Sequence, residues 1–262
     1  MINIDKIVKK INKKFGVSKI DTAIIVGSGL IESVPKLNNQ IIIPYDKIGL
    51  PKSKVSGHSG KLIVGEYNGK IIASVSRIHF YESGNMELVR APFEIIKKLN
   101  TKLVVLLTSS GGLNKQYKVG DIMVIKDHIN FTGFNPLIGI EKLEFTPMQN
   151  CYDNDITNKI IQIAKENNVP IQLGTHIQFS GPSYETKAEV NVARFIGGDT
   201  VSMSTAFDCI ICNYLKMKVC GISSVVNTFE KNTEELSHKE VLENAQKAIE
   251  KIKILLSNLI GE

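Results

Sequence analysis

The sequence predicts an α/β fold, a single domain over residues 1–262 with a central mixed β-sheet flanked by helices. Three observations carry this. Short apolar runs, such as Ala23-Ile24-Ile25-Val26 and Leu103-Val104-Val105-Leu106-Leu107, read as strands covered on both faces. Between such runs lie segments with apolar residues at helical spacing, among them Glu87 to Leu99 and Asp155 to Asn168. The length suffices for one large core, and no internal repeat, linker or low-complexity tract divides it.

The elements follow in order. Met1 to Ile20 alternates Lys with Ile in helical rhythm, so a first amphipathic helix is expected with Ile4, Ile7, Val8 and Ile11 inward. Thr22 to Val26 is a buried strand that stops at Gly27-Ser28-Gly29-Leu30, a turn whose backbone N–H groups suit a phosphate. It is not the dinucleotide fingerprint, because Ile31 and Glu32 stand where a third glycine is wanted. A polar connection leads to a turn about His58, and then to a hairpin around Asn68-Gly69. Arg77 to Glu82 follows. If this stretch stays extended, Arg77, His79 and Tyr81 share one face and Ile78 and Phe80 the other. That face suits an anion beside a hydroxylated ligand, although the hexapeptide alone favours a surface strand end whose Arg pairs with Glu82 or Glu87.

Glu87 to Leu99 predicts a helix with Pro92 in its first turn or at a kink. Leu103 to Leu107 predicts a strand running into the turn Thr108 to Asn114, and Val119 to Lys126 another strand. Asp155 to Asn168 is helical, and Ile171 to Phe179 extended. Glu185 to Phe195 is a helix, Thr200 to Ser204 a short strand and Thr205 to Leu215 an apolar helix. Val219 to Val226 is the last strand and ends at Asn227. Ser237-His238-Lys239-Glu240 has capping-box form and opens a helix with Val241, Leu242, Ala245, Ile249, Ile252 and Leu256 inward. Strands thus end repeatedly in polar turns, at Ser28, Arg77, Ser109, Ser183, Ser204 and Asn227, and ligands of open α/β sheets gather at such ends.

Composition narrows the function classes. With 43% hydrophobic and 22% charged residues the chain reads as globular and not disordered. A net charge of +6 suits nucleic acid or small anionic substrates. Apart from Lys9-Lys10 and Lys13-Lys14 the lysines are scattered, which favours a local anion site over a nucleic-acid track. No apolar stretch approaches the ~20 residues of a bilayer span, and the N-terminus lacks a signal-peptide core. A cytoplasmic protein without a membrane partner is therefore expected. Four cysteines do not form a disulfide framework. Cys209-x-x-Cys212 has redox or metal spacing, yet its apolar helical setting reads as packed thiols, and no metal is expected.

Laid side by side, the turns resemble those of the trimeric-type, low-molecular-mass purine nucleoside phosphorylases. The matching stretches are Gly27-Ser28-Gly29-Leu30, His58-Ser59-Gly60, Arg77-x-His79-x-Tyr81, Gly111-Gly112-Leu113-Asn114, Gly120-Asp121-Ile122-Met123 and Asp127-His128-Ile129-Asn130. They continue with Asn135-Pro136-Leu137, Gly181-Pro182-Ser183-Tyr184-Glu185-Thr186, Met203-Ser204-Thr205, Asn227 and His238-x-Glu240-Val241. The order is kept from residue 27 to the C-terminal helix. This resemblance implies the nucleoside phosphorylase fold and phosphorolysis of purine nucleosides to free base and ribose 1-phosphate. It implies that Ser28, His58, Arg77 and Ser204, with the backbone at Ser110, hold phosphate, and that His79 lies at the phosphate–sugar edge. Tyr81 and Met203 would contact ribose, and His238 the 5′-hydroxyl. Tyr184 would stack on the purine while Glu185 and Asn227 read its edge. Phe145 would reach the sugar pocket of a neighbouring subunit in a homotrimer. The resemblance implies no cofactor beyond inorganic phosphate as co-substrate. Ser109-Ser110, Tyr184 and Ser202 stand where Asn-Ala, Phe and Gly are frequent in that family.

Two other functions compete. A methylthioadenosine phosphorylase on the same scaffold prefers an acid at Asn227 and an apolar residue at His238, so both positions here favour 6-oxopurines and a free 5′-hydroxyl. A non-catalytic nucleoside- or nucleic-acid-binding protein would bind without phosphorolysis, with a steep salt dependence for nucleic acid.

Overall fold

The computed structural model describes residues 2–53, 60–142, 144–229 and 238–261. Its strands are β1 (Thr22–Val26), β2 (Asn38–Pro44), β3 (Lys61–Tyr67), β4 (Lys70–Ser76), β5 (Leu103–Gly112), β6 (Ile122–Asn130), β7 (Gln172–Gln178), β8 (Thr200–Ser202) and β9 (Lys218–Thr228). Its helices are α1 (Ile4–Phe15), α2 (Tyr45–Ile48), α3 (Phe80–Ser83), α4 (Met86–Lys98), α5 (Asn154–Glu166), α6 (Lys187–Phe195), α7 (Ala206–Tyr214), α8 (His238–Ala245) and α9 (Ile249–Gly261).

All nine strands join one mixed sheet in the order β2-β3-β4-β1-β5-β8-β7-β6-β9. β9 also pairs with β5, in parallel, so β5, β8, β7, β6 and β9 close on themselves. β1, β4, β3 and β2 extend from β5 as an open wing. The apolar runs explain the centre: β1 and residues 104–107 of β5 are buried throughout, because helices cover both faces. One core cluster lies under α1, α4 and α7, and a second lies under α5, α8 and α9. Among the described residues no helix is long and apolar enough to cross a membrane.

Local chemistry accounts for the element ends. Asn3 caps α1 by accepting from the Lys6 N–H at 2.8 Å, and Gly16 closes it in the left-handed region. Ile4, Ile7 and Ile11 face the core, and Val8 is half-buried. Asn68-Gly69 turns β3 into β4, with both residues at positive φ.

The structure departs from the sequence expectations in four places. The connection expected to be irregular between Ile31 and Ser53 contains β2 and α2. β2 is an edge strand with an exposed face, so its short Ile41-Ile42-Ile43 run lacks the bounded apolar signal of a central strand. β5 continues five residues past Leu107, because β9 runs alongside it and pairs with its hydroxyl and glycine tail. Pro92 lies inside α4, past the first turn that was one of its two expected positions. The C-terminal helix is interrupted between α8 and α9 by a 3₁₀ turn at Gln246–Ala248. Ser237, the expected cap of α8, lies outside the described residues.

Candidate active site

A cavity of about 320 Å³ opens where the carboxyl ends of β1, β4, β5, β8 and β9 converge. Ser28 enters from the turn after β1; Arg77, His79 and Tyr81 enter from the segment after β4. Ser109, Ser110 and Gly111 come from the tail of β5, and Asn227 from β9. Met203 and Ser204 follow β8, Tyr184 and Glu185 precede α6, and His238 begins α8. Eleven of the residues singled out from the sequence therefore share one wall-to-wall cavity. His58 lies outside the described residues. Phe145 does not line the cavity, and its side chain is 96% exposed in the single chain.

The Arg77–Tyr81 stretch reaches the cavity by a different backbone from the extended one expected. The chain leaves the sheet at Ser76, and His79 precedes the single turn of α3. The His79 N–H donates to Glu82 Oε1 at 2.9 Å, and Glu82 Oε1 also lies 3.2 Å from His79 Nδ1. That turn folds Tyr81 back onto His79, with ring centroids 4.8 Å apart and planes at 19°. Ile78 is buried in the core and Phe80 packs on Phe134 and Phe207, so the division into a ligand side and a packing side survives.

Arg77 is the dominant electrostatic feature. Its side chain is 2% exposed, and its Nε donates to Asp208 Oδ2 at 2.5 Å. Neither Glu82 nor Glu87 is the partner that the sequence alone suggested. Asp208 sits in the first turn of α7 and is itself buried. Nη1 and Nη2 of Arg77 are buried with no hydrogen-bond partner among the described residues. Buried guanidinium N–H groups without acceptors are costly, and Arg77 is among the residues that line the cavity. The planar fork is therefore set to receive an anion.

Hydroxyl groups gather opposite it. Thr108 Oγ1 lies 3.4 Å from Ser202 Oγ and 3.5 Å from Ser204 Oγ. Beneath them His176 is wholly buried, with Nδ1 2.9 Å from Thr200 Oγ1 and Nε2 3.0 Å from Ser202 Oγ. Its Nε2 is also 3.2 Å from the Ser204 carbonyl oxygen. Burial pulls the His176 pKa down to about 3, so the ring stays neutral and acts as a fixed scaffold for the 202–204 turn. Ser109 Oγ donates to the Ser28 carbonyl at 2.7 Å and so ties the glycine turn to β5.

Ser110 also lines the cavity. Its hydroxyl is committed to Ser223 Oγ and lies 3.4 Å from the Ser224 carbonyl. At this point the β5–β9 register shifts, so that Ser110 pairs with Val225 but Gly111 with Asn227. Such a bulge re-aims side chains near a site. Gly111 is required there, since a Cβ would meet the Phe229 ring at 2.8 Å and Asn227 Nδ2 at 3.2 Å. Gly181, at φ +66°, likewise lets Met203 approach, where a Cβ would fall 2.5 Å from its Sδ.

Burial shapes the acid–base character of the cavity wall formed by Tyr81, Tyr184 and Glu185. It raises the Glu185 carboxyl above its ordinary range, with Glu189 adding to the shift. Burial also raises the phenols of Tyr81 and Tyr184, keeping both protonated as donors. Sequence reasoning missed Asp208, His176 and Thr108. The available signal for Asp208 was a carboxylate within the apolar run Ala206 to Cys212, which demands a buried partner. His176 left no comparable trace, because its partners lie on a neighbouring strand and turn.

Comparisons with known proteins agree with this construction. The model of the phosphorylase superfamily matches residues 21–261. Over 231 residues the chain is 40% identical to purine nucleoside phosphorylase 1 of Bacillus subtilis, covering 86% of this chain and 85% of that one. The crystal structure of Schistosoma mansoni purine nucleoside phosphorylase in complex with adenosine superposes with a TM-score of 0.92 at 30% identity, covering 99% of this chain and 96% of that one. The same Schistosoma mansoni enzyme in complex with inosine gives a TM-score of 0.89 at 30% identity, covering 99% and 95%. These likenesses establish that the chain belongs to the phosphorylase superfamily and, within it, to the purine nucleoside phosphorylases.

Proposed function

We propose that the chain cleaves 6-oxopurine nucleosides such as inosine and guanosine, reversibly and with phosphate as co-substrate, to free base and (deoxy)ribose 1-phosphate for purine salvage. The observation that carries the reading is the buried Arg77 fork, with Nη1 and Nη2 unpaired beside the cavity. Phosphate sits between Arg77, Ser28, the backbone at Ser110 and Ser204, with His79 at its edge and His58 completing the set. Ribose lies over Tyr81 and Met203, with its 5′-hydroxyl toward His238. The purine stacks on Tyr184 between Glu185 and Asn227.

In the reaction a phosphate oxygen forms a bond to C1′ while the C1′–N9 bond breaks and its electron pair passes to the purine. Positive charge grows on the sugar, facing the phosphate dianion, and negative charge grows on the base. The Asn227 amide stabilises that charge at N7 and O6 as N7 takes up a proton. Glu185 accepts from N1–H. No cofactor is needed in this scheme.

Preference for 6-oxopurines rests on Asn227, since an amide can donate where a 6-amino purine requires an acceptor. A methylthioadenosine phosphorylase is disfavoured by His238, whose polar ring suits a hydroxyl better than a methylthio group. We further propose a homotrimer in which Phe145 closes a neighbour's sugar pocket; its near-complete exposure in the single chain supports this. The four free cysteines support a reducing, cytoplasmic setting. The test is purine release from inosine, guanosine, adenosine and methylthioadenosine, with and without phosphate. Phosphate-dependent release from inosine and guanosine, with poor adenosine turnover, is expected. Efficient use of methylthioadenosine but not inosine would reject the specificity, and binding without cleavage would reject the enzyme.

A further inference from the structure

Away from the cavity, three soft donors meet where β6, the loop before α5 and α7 come together. They are His128 Nδ1, Cys151 Sγ and Cys209 Sγ, and all lie within 4.8 Å of one another. None of the three lines the active-site cavity. Cys209, expected from the sequence as a packed thiol beside Cys212, thus has Cys151 and His128 as its neighbours. A register shift between Ile125 and Asp127 in the β6–β7 pairing aims Asp127 and His128 at this point.

The spacing is that of a small tetrahedral site. Cys151 Sγ lies 3.8 Å from His128 Nδ1 and 3.8 Å from Asp127 Oδ1. In a tetrahedron with metal–sulfur bonds of about 2.3 Å, ligand atoms stand ~3.8 Å apart. The two edges at Cys151 match this length, and the others, at up to 4.8 Å, contract when the ion binds. Asn213 Nδ2, 3.5 Å from Cys209 Sγ, suits a bound thiolate, and the Tyr152 hydroxyl, 3.3 Å from His128 Nδ1, gives up that contact when the ring nitrogen takes the ion. Cys151 and Cys209 are buried, His128 is half-buried and Asp127 is exposed, which leaves an entry path on the carboxylate side.

We propose that His128, Cys151 and Cys209 bind one thiophilic divalent cation of the zinc class, with the Asp127 carboxylate or a water as fourth ligand. Binding releases the two thiol protons and uses the neutral imidazole. The ion joins β6, the 151 loop and α7, so its role is structural and separate from phosphorolysis.

The experiment uses the full chain, stripped with a chelator under reducing conditions and then loaded with zinc or cobalt(II). Stoichiometric zinc retention after gel filtration, a thiolate-to-cobalt charge-transfer band and a raised Tm are expected. His128→Asn and Cys151→Ser should each abolish retention and the band, whereas Cys212→Ser should keep both. His128 is only half-buried, so its variant keeps the test sound if a cysteine variant misfolds. No stoichiometric metal in the folded wild-type chain would overturn the proposal, as would retention unchanged in His128→Asn. A Cys151–Cys209 disulfide in the purified chain, with no zinc uptake after its reduction, would also overturn it and assign the pair to redox chemistry.

Discussion

Replacing Arg77 by Met and Asp208 by Leu together isolates the anion-binding role of the guanidinium. Arg77→Met alone would strand the buried Asp208 carboxylate, and breaking one side of a buried pair costs about 3–5 kcal/mol of stability. The double substitution replaces the pair by apolar side chains of similar length, a change that is often neutral or stabilising. What it removes is the two cavity-side donors, Nη1 and Nη2. Hydrogen bonds to charged groups are worth ~1.5–3 kcal/mol each. Losing two therefore costs roughly 3–6 kcal/mol, or about 10²–10⁴-fold in kcat/KM for phosphate. The assay is inosine phosphorolysis at varied phosphate, paired with thermal melts. For the wild type, phosphate at ~100 Kd adds about 2.7 kcal/mol, a Tm rise of about 5–10 °C in a chain of this size. The double variant should melt normally without phosphate and show almost no such rise. A folded double variant with unchanged phosphate dependence would refute the assignment.

Tyr81→Ala should raise KM for inosine with little change in KM for phosphate, since Tyr81 stacks on His79 and is proposed to contact the ribose; two-substrate kinetics check this. Asn227→Asp should move the adenosine-to-inosine ratio of kcat/KM upward by about 10-fold or more, because a carboxyl accepts from a 6-amino group. For Glu185, burial holds the folded pKa above the unfolded one, so stability is lost as pH rises from the unfolded value through the folded one. Glu185→Gln should thus raise the unliganded Tm at neutral pH while weakening guanosine use, read by melts and kinetics across pH. His176 has the opposite sign: a histidine held at about 3 costs stability as pH falls below its unfolded value of ~6.5. The loss reaches roughly 3–5 kcal/mol, and His176→Asn should flatten that part of the acid limb in urea titrations.

Much of the site was legible because its parts are local. Gly27-Ser28-Gly29, Tyr184-Glu185 and Met203-Ser204 each announce a polar turn at the end of an apolar run, and a strand end is where a ligand can reach the backbone. The helices of the interior were legible too, since α1 and α5 bury the residues their periodicity requires. β2 was not, because an edge strand with an exposed face leaves a weak apolar pattern. Nor was the turn of α3, where a four-residue helix is decided by the Glu82 contact with His79 and by no periodicity.

The amino-acid order by itself determined an α/β chain with an anion-seeking Arg77 and hydroxyl-bearing turns at its strand ends. Those are properties of side chains and of their distance along one strand or turn. Tertiary structure alone decided that β5 and β9 close a ring, that Asp208 orients Arg77, and that His176 carries the 202–204 turn. It also set Cys151 and His128 beside Cys209. Each of these joins groups from distant segments across a packed sheet, where burial and register, not sequence spacing, fix which atoms meet.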